Sequence, residues 1–148
     1  MPARMTAKQV QKFYDPAMSG RVVGNDQPRK HKFNARRTSF VWEGKKLSFP
    51  SKAQATRYQW LLMMEKSGQI KGLRREVPVD LTVGGRKVCR MVWDAVYVQG
   101  NRTIYEDVKG ATKTVAYRLF CIKRDLFLAL FPNVSVVEVI GGKVIKRT

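Results

Sequence analysis

From residue 77 onward the sequence alternates apolar and polar residues with a period of two, in three runs separated by glycine-containing pairs. The runs are VPVDLTV, KVCRMVWDAVYV and RTIYEDVK, and the pairs between them are Gly84-Gly85 and Gly100-Asn101. Both positions of such a pair can adopt a positive φ, which is typical of a two-residue hairpin turn. The pattern therefore predicts a three-stranded antiparallel meander.

Two segments with helical periodicity flank the predicted meander. In SKAQATRYQWLLMMEKSG, Ser51 is a good N-cap, Gln54 is its capping-box partner and Gly68 provides the C-terminal stop. TVAYRLFCIKRDLFLALF is strongly apolar, and a Pro-Asn pair ends it. The apolar run VSVVEVI then predicts a buried strand, which Gly141-Gly142 can turn back into KVIKR.

The predicted elements follow the order helix, three strands, helix, strand (αβββαβ). This order predicts an α/β fold in which a mixed sheet carries one helix on each face and the last strand pairs in parallel inside the sheet. A short hairpin around Glu43-Gly44 precedes the first helix. We expect residues 33–148 to form the domain. Residues 1–32 are polar and basic, and predict a partly flexible arm with a short helix at 5–14 that orders on a polyanion.

The charge of the chain indicates which class of partner it binds. The 148 residues include 29 Lys and Arg against 11 Asp and Glu, a formal net charge of +18. Such a field attracts polyanions, so nucleic acid is the first candidate, and a merely soluble basic or ribosome-like structural protein is the alternative.

Other classes of function find little support in the sequence. Two cysteines without zinc spacing and a single histidine argue against a zinc site. The N-terminal stretch lacks a signal-peptide pattern, and no apolar run reaches the ~20 residues of a membrane span. We therefore expect a cytoplasmic protein without a membrane partner.

The hairpin register predicts that two aspartates lie side by side. If the Gly-Asn pair is a two-residue turn, Gln99 lies opposite Arg102 and Asp94 lies opposite Asp107. The Cβ atoms of opposed residues are ~5 Å apart, and two carboxylates at that distance repel each other unless a cation lies between them. Lys109 lies two residues beyond Asp107 and therefore on the same face of the strand.

These residue types suit the hydrolysis of a phosphodiester. Mg²⁺ binds one or two carboxylates together with waters and a substrate phosphate, and it lowers the pKa of a bound water. A lysine at the position of Lys109 can orient that water or stabilise the developing anion. The alternative is a structural triad in which Lys109 only neutralises Asp94 and Asp107.

The order of these motifs resembles the PD-(D/E)xK nuclease superfamily. More narrowly, FNARRTSFVWEGKKLSFPSKAQATRYQWLLMMEKSGQIKGL, WDAVYV and YEDVKG are similar to a family of small phage-encoded nucleases related to phage junction-resolving endonucleases, over roughly residues 33–139. The resemblance implies a restriction-endonuclease-like core, with Mg²⁺ as the cofactor and Mn²⁺ as its substitute. It also implies Asp94 and Asp107 as metal ligands, the Val108 carbonyl as a third ligand and Lys109 as the catalytic lysine.

The chain departs from the family pattern at two positions. Trp93 replaces the usual proline before the first acid, and Gln54 in SKAQA stands where the family commonly has a glutamate. We keep Gln54 as a candidate catalytic residue, because its amide can offer an oxygen to a metal or a water without charge. Three explanations are open for the glutamine: it supports the metal ligands without binding the metal, it lowers the activity of the enzyme, or it was introduced in place of the glutamate to give an inactive protein.

Further acids, bases and aromatics complete the set of candidates. Glu65 is a fallback acid, but it lies about three turns along the first predicted helix and is expected to be solvated. Glu76 precedes the first predicted strand of the meander and is a further candidate acid that would support the ligands. Glu106 is expected to face away from Asp107 and to pair with a basic residue. Candidate phosphate contacts are Arg36, Arg37, Lys113, Arg118 and Lys123, with Lys45, Lys46 and Arg124 as further basic residues. Trp42, Tyr58 and Trp60 could stack on bases, although packing in the core or in the hairpin is the expectation.

The sequence thus leads to one main hypothesis and two alternatives. The main hypothesis is a phage-type, Mg²⁺-dependent endodeoxyribonuclease that acts on DNA, with branched or four-way-junction DNA as the first substrate to test. Resolution of a junction requires two active sites and hence a homodimer. The alternatives are a non-catalytic nucleic-acid-binding protein on a nuclease scaffold and a nuclease that cuts RNA.

Overall fold

A computed structural model describes residues 36–147, so the expected N-terminal arm and its helix at 5–14 lie outside the described residues. The secondary-structure elements are β1 Thr38–Trp42, β2 Lys45–Phe49, α1 Lys52–Lys66, β3 Lys71–Val83, β4 Arg86–Gln99, β5 Arg102–Lys109, α2 Val115–Leu130, β6 Ser135–Ile140 and β7 Lys143–Arg147. The predicted order of helices and strands is confirmed. Neither described helix has the length and apolar character needed to cross a membrane.

The main sheet has five strands in the order β3-β4-β5-β6-β7. β5 and β6 pair in parallel, and the other neighbouring strands pair antiparallel. The fold is therefore mixed α/β, with the predicted meander on one side of a parallel pair. β1 and β2 form a separate two-stranded hairpin, as expected from the turn at Glu43-Gly44.

β3 is longer than expected. It begins at Lys71, whereas the alternation of apolar residues begins only at Val77. The segment KGLRRE contains a single apolar residue, Leu73, so periodicity could not reveal it as strand. The start of β3 is fixed instead by α1, because the Leu73 backbone N–H donates a 2.9 Å hydrogen bond to Glu65 Oε1.

Each face of the sheet carries one helix over its own apolar cluster, as predicted. On the α1 side, Ala55, Tyr58 and Leu61 pack with sheet residues that include Ala95 and Ile104. On the α2 side, Phe127 packs in a second cluster of buried residues, made up of Leu81, Met91, Trp93, Val96 and Val136. Removal of these side chains from water is the main force that holds both helices on the sheet.

Both predicted ends of α1 are confirmed. Ser51 is the N-cap, and its hydroxyl accepts a 3.2 Å hydrogen bond from the Gln54 backbone N–H. At the other end, Gly68 adopts a φ of +79°, and the N–H groups of Gly68 and Gln69 donate to the carbonyls of Glu65 and Met64. This is the hydrogen-bond pattern of a Schellman motif, which favours glycine because of the positive φ.

Candidate active site

The regular pleat of β3 and β4 breaks at one level of the sheet. In β4, Trp93 packs on the α2 side although Ala95, two residues later, packs on the α1 side. In β3, the Arg75 guanidinium lies over Phe49 on the α1 side, whereas Val77 packs on the α2 side. Between them Glu76 has a φ of +51°, a left-handed conformation that is strained for a residue other than glycine. Such irregularities re-aim side chains, and here the residue at the break in β4 is Asp94.

The predicted register between β4 and β5 is confirmed. Gln99 pairs with Arg102, and the ladder continues to the pair Ala95 and Glu106, so Asp94 and Asp107 are the next residues on the two strands. Their side chains meet. The pKa of Asp107 is raised to about 7, first by burial and then by the charge of Asp94 and a hydrogen bond with its carboxyl, and Lys109 opposes this shift. Asp107 is only 6% exposed.

Asp94 is held by hydrogen bonds to both of its oxygens. Gln54 Nε2 donates to Oδ1 at 2.9 Å, and the Val108 backbone N–H donates to Oδ2 at 2.8 Å. Gln54 Oε1 in turn accepts a 3.3 Å hydrogen bond from the hydroxyl of Ser51, the N-cap of α1. Gln54 therefore lies in the site as predicted, and its amide N–H group, not its oxygen, faces Asp94.

Lys109 lies on the α2 side of the same site. Its ammonium group forms an ion pair with Asp107 Oδ2 and lies 3.6 Å from the centroid of the Phe120 ring. The aromatic face attracts the cation and limits its movement. An open cavity of about 190 Å³ adjoins these residues, and its wall also includes Arg90 and Lys123. The cavity thus brings three basic side chains to the exposed side of Asp107.

The other candidate acids have structural roles. Glu106 is fully buried, and it accepts hydrogen bonds from Arg57 at 2.7 and 2.9 Å and from the Tyr97 hydroxyl at 2.9 Å. The prediction that Glu106 pairs with a basic residue is confirmed. Glu65 was expected to be solvated, but it binds the backbone of β3 through Leu73 N–H.

Glu76 was expected to precede the first strand of the meander, and this was wrong because it lies inside β3. Its side chain is 62% exposed and lies 3.4 Å from the Arg75 guanidinium. It lines a small cavity of about 40 Å³ together with Gln54 and Asp94, so it remains near the site without contacting Asp107.

The candidate phosphate contacts fall into two groups. Lys123 adjoins the cavity at Asp107, and its ammonium group donates a 3.2 Å hydrogen bond to the Arg90 carbonyl. The other four candidates are exposed at the surface and are Arg36, Arg37, Lys113 and Arg118. Of the predicted contacts, the structure therefore brings Lys123 to the aspartates.

A buried charge cluster around Glu138 was not predicted. Glu138 is fully buried in β6, and it accepts hydrogen bonds from Arg124 at 2.8 Å, Arg147 at 2.9 Å and the Tyr117 hydroxyl at 2.8 Å. Arg124 is thus committed to an internal ion pair, which corrects its assignment as a phosphate contact. The signal in the sequence was the single acid inside the apolar run VSVVEVI.

Two of the aromatic candidates occupy different environments. Tyr58 is buried in the α1-side cluster, as expected. Trp60 was expected to pack in the core, and this was wrong because 53% of it is exposed. α1 buries Ala55, Tyr58 and Leu61, and Trp60 does not belong to that face of the helix.

The donor set fits a hard divalent cation. Within residues 36–147 no cluster of three or more His, Cys, Asp and Glu side chains converges, so the candidate site rests on two carboxylates. Mg²⁺ needs no more than one or two carboxylates, because waters and substrate phosphate complete its shell. The pKa of Asp107 is raised first by burial and then by the charge of Asp94, and Lys109 does not offset these two effects.

The comparisons with known proteins add little to this geometry. No family model and no curated protein matches the sequence. Among solved structures, one titled "Crystal structure of SSO0001" is similar at 17% identity with a TM-score of 0.34. The similarity covers 64% of this chain and 48% of that chain, and at this level it supports no conclusion about fold or function.

Proposed function

We propose that this chain is a Mg²⁺-dependent endodeoxyribonuclease of the PD-(D/E)xK type with a restriction-endonuclease-like core. The observation that carries the proposal is the meeting of Asp94 and Asp107 across the β4–β5 hairpin, with Lys109 paired to Asp107. The net charge of +18 supports a polyanionic substrate. The resemblance to small phage-encoded nucleases supports DNA, and branched DNA in particular.

Asp94, Asp107 and the Val108 carbonyl would hold the cation. When bound, a divalent cation supplies activation of a water and neutralisation of charge on the phosphate. The two hydrogen bonds to Asp94, from Gln54 and from the Val108 N–H, fix the orientation of this carboxylate. Such supporting contacts hold a ligand in place and tune its affinity for the metal.

Lys109 provides a positive charge beside the scissile phosphate. Phe120 and Asp107 hold its ammonium group in one place, which favours stabilisation of charge in the transition state because little reorganisation is needed. Hydrolysis then adds a water oxygen to phosphorus and breaks one P–O ester bond. Lys123 and Arg90, on the wall of the adjoining cavity, are positioned to bind a flanking phosphate.

Gln54 favours a second candidate function, a non-catalytic nucleic-acid-binding protein on the same scaffold. With a glutamine at this position the site has one negative charge fewer than a site with the family glutamate. Such a protein would bind DNA or RNA with a steep dependence on salt, but it would bind no divalent cation between the aspartates and would cleave nothing.

Cleavage assays on several substrate shapes test the proposal. The full chain is incubated with four-way junction, flap, linear duplex and single-stranded DNA, and with RNA, in Mg²⁺, Mn²⁺ or EDTA. We expect metal-dependent cleavage of DNA that Asp107→Ala abolishes and that Asp125→Ala, a change of a 67% exposed acid on α2, leaves intact. Equal cleavage by wild type and Asp107→Ala would disprove the proposed nuclease site. Binding of nucleic acid without metal and without cleavage would support the second candidate function.

Resolution of four-way junctions would also require a homodimer with two active sites. Sedimentation of the full chain with and without junction DNA measures this state directly. A monomer on the junction would direct the proposal towards flaps or single strands.

A further inference from the structure

A cavity of about 690 Å³ lies along the outer side of α1, next to the candidate active site. Its wall includes Val108, Lys109 and Gly110 at the end of β5, and it extends along α1 to Trp60. Cavities of roughly 300–1,000 Å³ are the size that binds small ligands or single groups of a larger one. The space is thus large enough for one nucleotide.

The exposed face of α1 leaves the Trp60 ring open. Ala53 and Thr56 lie seven and four residues before Trp60, on the same side of the helix, and all three are exposed. Because these two side chains are small, they do not cover the indole ring. The helix packs on the sheet through Ala55, Tyr58 and Leu61, so Trp60 contributes little to the core.

The Trp60 cavity is continuous with the site that holds Gln54. A second cavity of about 470 Å³ is lined by Gln54 and Lys109, and it shares Ala53, Val108, Lys109 and Gly110 with the first. Among the described residues, no acidic side chain lines either cavity, and three basic residues line the first: Lys52, which is exposed, and Arg57 and Lys109, which also pair with Glu106 and Asp107. Both cavities therefore suit a polyanion, and their far end offers an aromatic ring.

We propose that this surface, the Trp60 groove, binds an unpaired nucleotide of the DNA beside the scissile phosphate, with its base stacked on Trp60. In a duplex both faces of a base are covered by its neighbours, so only an unpaired base can present a face to the indole. The inference rests on the proposed function for the position of the scissile phosphate. It assigns the substrate class as DNA with a single-stranded segment next to the cut, as in flaps and opened branch points.

The test compares binding of two DNAs to a catalytically inactive full chain. The Asp107→Asn protein is titrated in EDTA, at one fixed salt concentration, with a labelled single strand and with a blunt duplex of the same sequence. Adding Trp60→Ala should weaken binding of the single strand about tenfold to a hundredfold, the range measured for loss of base stacking. Binding of the duplex should change less than twofold, because phosphate contacts remain.

Two matched variants sharpen the result. Trp60→Phe keeps an aromatic ring and should retain most of the affinity for the single strand. Met63→Ala removes another exposed apolar side chain of α1, 45% exposed, and should change neither affinity. The single strand should also quench tryptophan fluorescence in the Asp107→Asn protein, and Trp60→Phe should remove that quenching.

An equal loss of affinity for both DNAs, or no loss for either, would overturn the inference. These outcomes differ from a failure of the proposed function, because binding in EDTA requires no cleavage. If the wild-type chain cuts no substrate but Trp60→Ala still selectively weakens binding of the single strand, the Trp60 groove is supported and the nuclease proposal is wrong. If cleavage is confirmed but Trp60→Ala affects both DNAs equally, the nuclease stands and the groove fails.

Discussion

Glu106 and Asp107 are consecutive residues of β5 that face opposite helices, and both are almost fully buried. Glu106 receives two hydrogen bonds from Arg57 and one from the Tyr97 hydroxyl. Among residues 36–147, Asp107 has a single basic partner, Lys109, and it has a second carboxylate beside it. One strand thus carries, one residue apart, an acid whose charge is compensated by its partners and an acid whose charge is not, which we call the satisfied and the unsatisfied acid.

The difference separates an acid that stabilises the fold from one that serves a site. A buried carboxylate with several donors keeps its charge, and Glu138 repeats this arrangement on the other side of the sheet with Arg124, Arg147 and Tyr117. A buried carboxylate next to another carboxylate resists ionisation, and the pKa of Asp107 rises to about 7. Such unfavourable arrangements concentrate at functional sites, because a ligand relieves them.

The first prediction concerns Arg57, the partner of the satisfied acid. Arg57→Met should lower the free energy of unfolding by about 3–5 kcal/mol, because it leaves Glu106 buried and charged without its bidentate partner. Urea denaturation measures the change. The control is Arg90→Met, which removes a 57% exposed member of a surface ion pair with Asp80 and should leave the midpoint nearly unchanged.

A double variant tests whether the charge of Glu106 causes the loss. In Arg57→Met with Glu106→Leu no buried charge remains, so much of the lost stability should return. If the double variant is as unstable as the single one, packing of the Arg57 side chain rather than the ion pair accounts for the effect. Glu106 would then no longer serve as the example of a buried acid that its ion pair stabilises, in contrast to Asp107.

The second prediction concerns the pH dependence that the unsatisfied acid creates. The pKa of Asp107 is about 7 in the folded protein and ~3.9 in an unfolded chain, so the folded state binds more protons between these values. In EDTA the free energy of unfolding should therefore fall as the pH rises from about 4 to about 7. Above about pH 7 the contribution of Asp107 to this free energy should be constant.

Thermal denaturation of wild type and Asp107→Asn isolates that contribution from the titration of other groups. At pH 8 in EDTA the variant should melt several degrees above the wild type, a shift typical of roughly 1 kcal/mol in a small domain. The two proteins should converge near pH 4. Adding Mg²⁺ at pH 8 should stabilise only the wild type, and equal melting curves at all pH values would refute the idea that Asp107 is unsatisfied.

The sequence was sufficient to predict that the two aspartates lie side by side because hairpin register is local. A two-residue turn at Gly100-Asn101 fixes which residues face each other, so counting back from the turn predicts that Asp94 lies next to Asp107. The capping signals at Ser51 and Gly68 are equally local and were also confirmed. These features depend only on residues close together in the chain.

What the sequence could not show depends on contacts between distant elements. Arg124 looked like any exposed base, and only the parallel pairing of β5 with β6 brings Glu138 within its reach. The exposure of Trp60 depends on which face of α1 the sheet covers, and the apolar residues of that helix allowed more than one face. The break in the pleat at Glu76 has no sequence pattern, because no glycine marks its positive φ.

The third prediction sharpens the contrast by adding a charge to the unsatisfied site. Gln54→Glu would replace the N–H donor to Asp94 by another carboxylate, so the variant should be less stable than wild type in EDTA. A metal would gain a further ligand or a more negative site, and its affinity should rise about tenfold to a hundredfold, the usual scale for residues that support a ligand. Titration of Mn²⁺ against melting temperature measures both effects.

Gln54→Ala is the matched control for that change. It removes the hydrogen bond to Asp94 without adding charge, so metal affinity should fall rather than rise. An equal metal affinity in Gln54→Glu, Gln54→Ala and wild type would show that this position does not act on the aspartates. It would also leave Gln54 with only its role beside the N-cap Ser51.

The smallest predicted effect lies on α2, where the same comparison appears between two basic neighbours. Lys123 adjoins the open cavity at Asp107, whereas Arg124 is tied to the buried Glu138. If Lys123 binds one DNA phosphate, Lys123→Ala should lower the slope of log affinity against log salt by about 0.9 for duplex DNA. Arg124→Ala should leave the slope unchanged and lower the stability instead, since it removes one of the two arginines that pair with the buried Glu138. A loss of slope in Arg124→Ala and none in Lys123→Ala would mean that Arg124, and not Lys123 at the cavity beside the aspartates, contacts a phosphate.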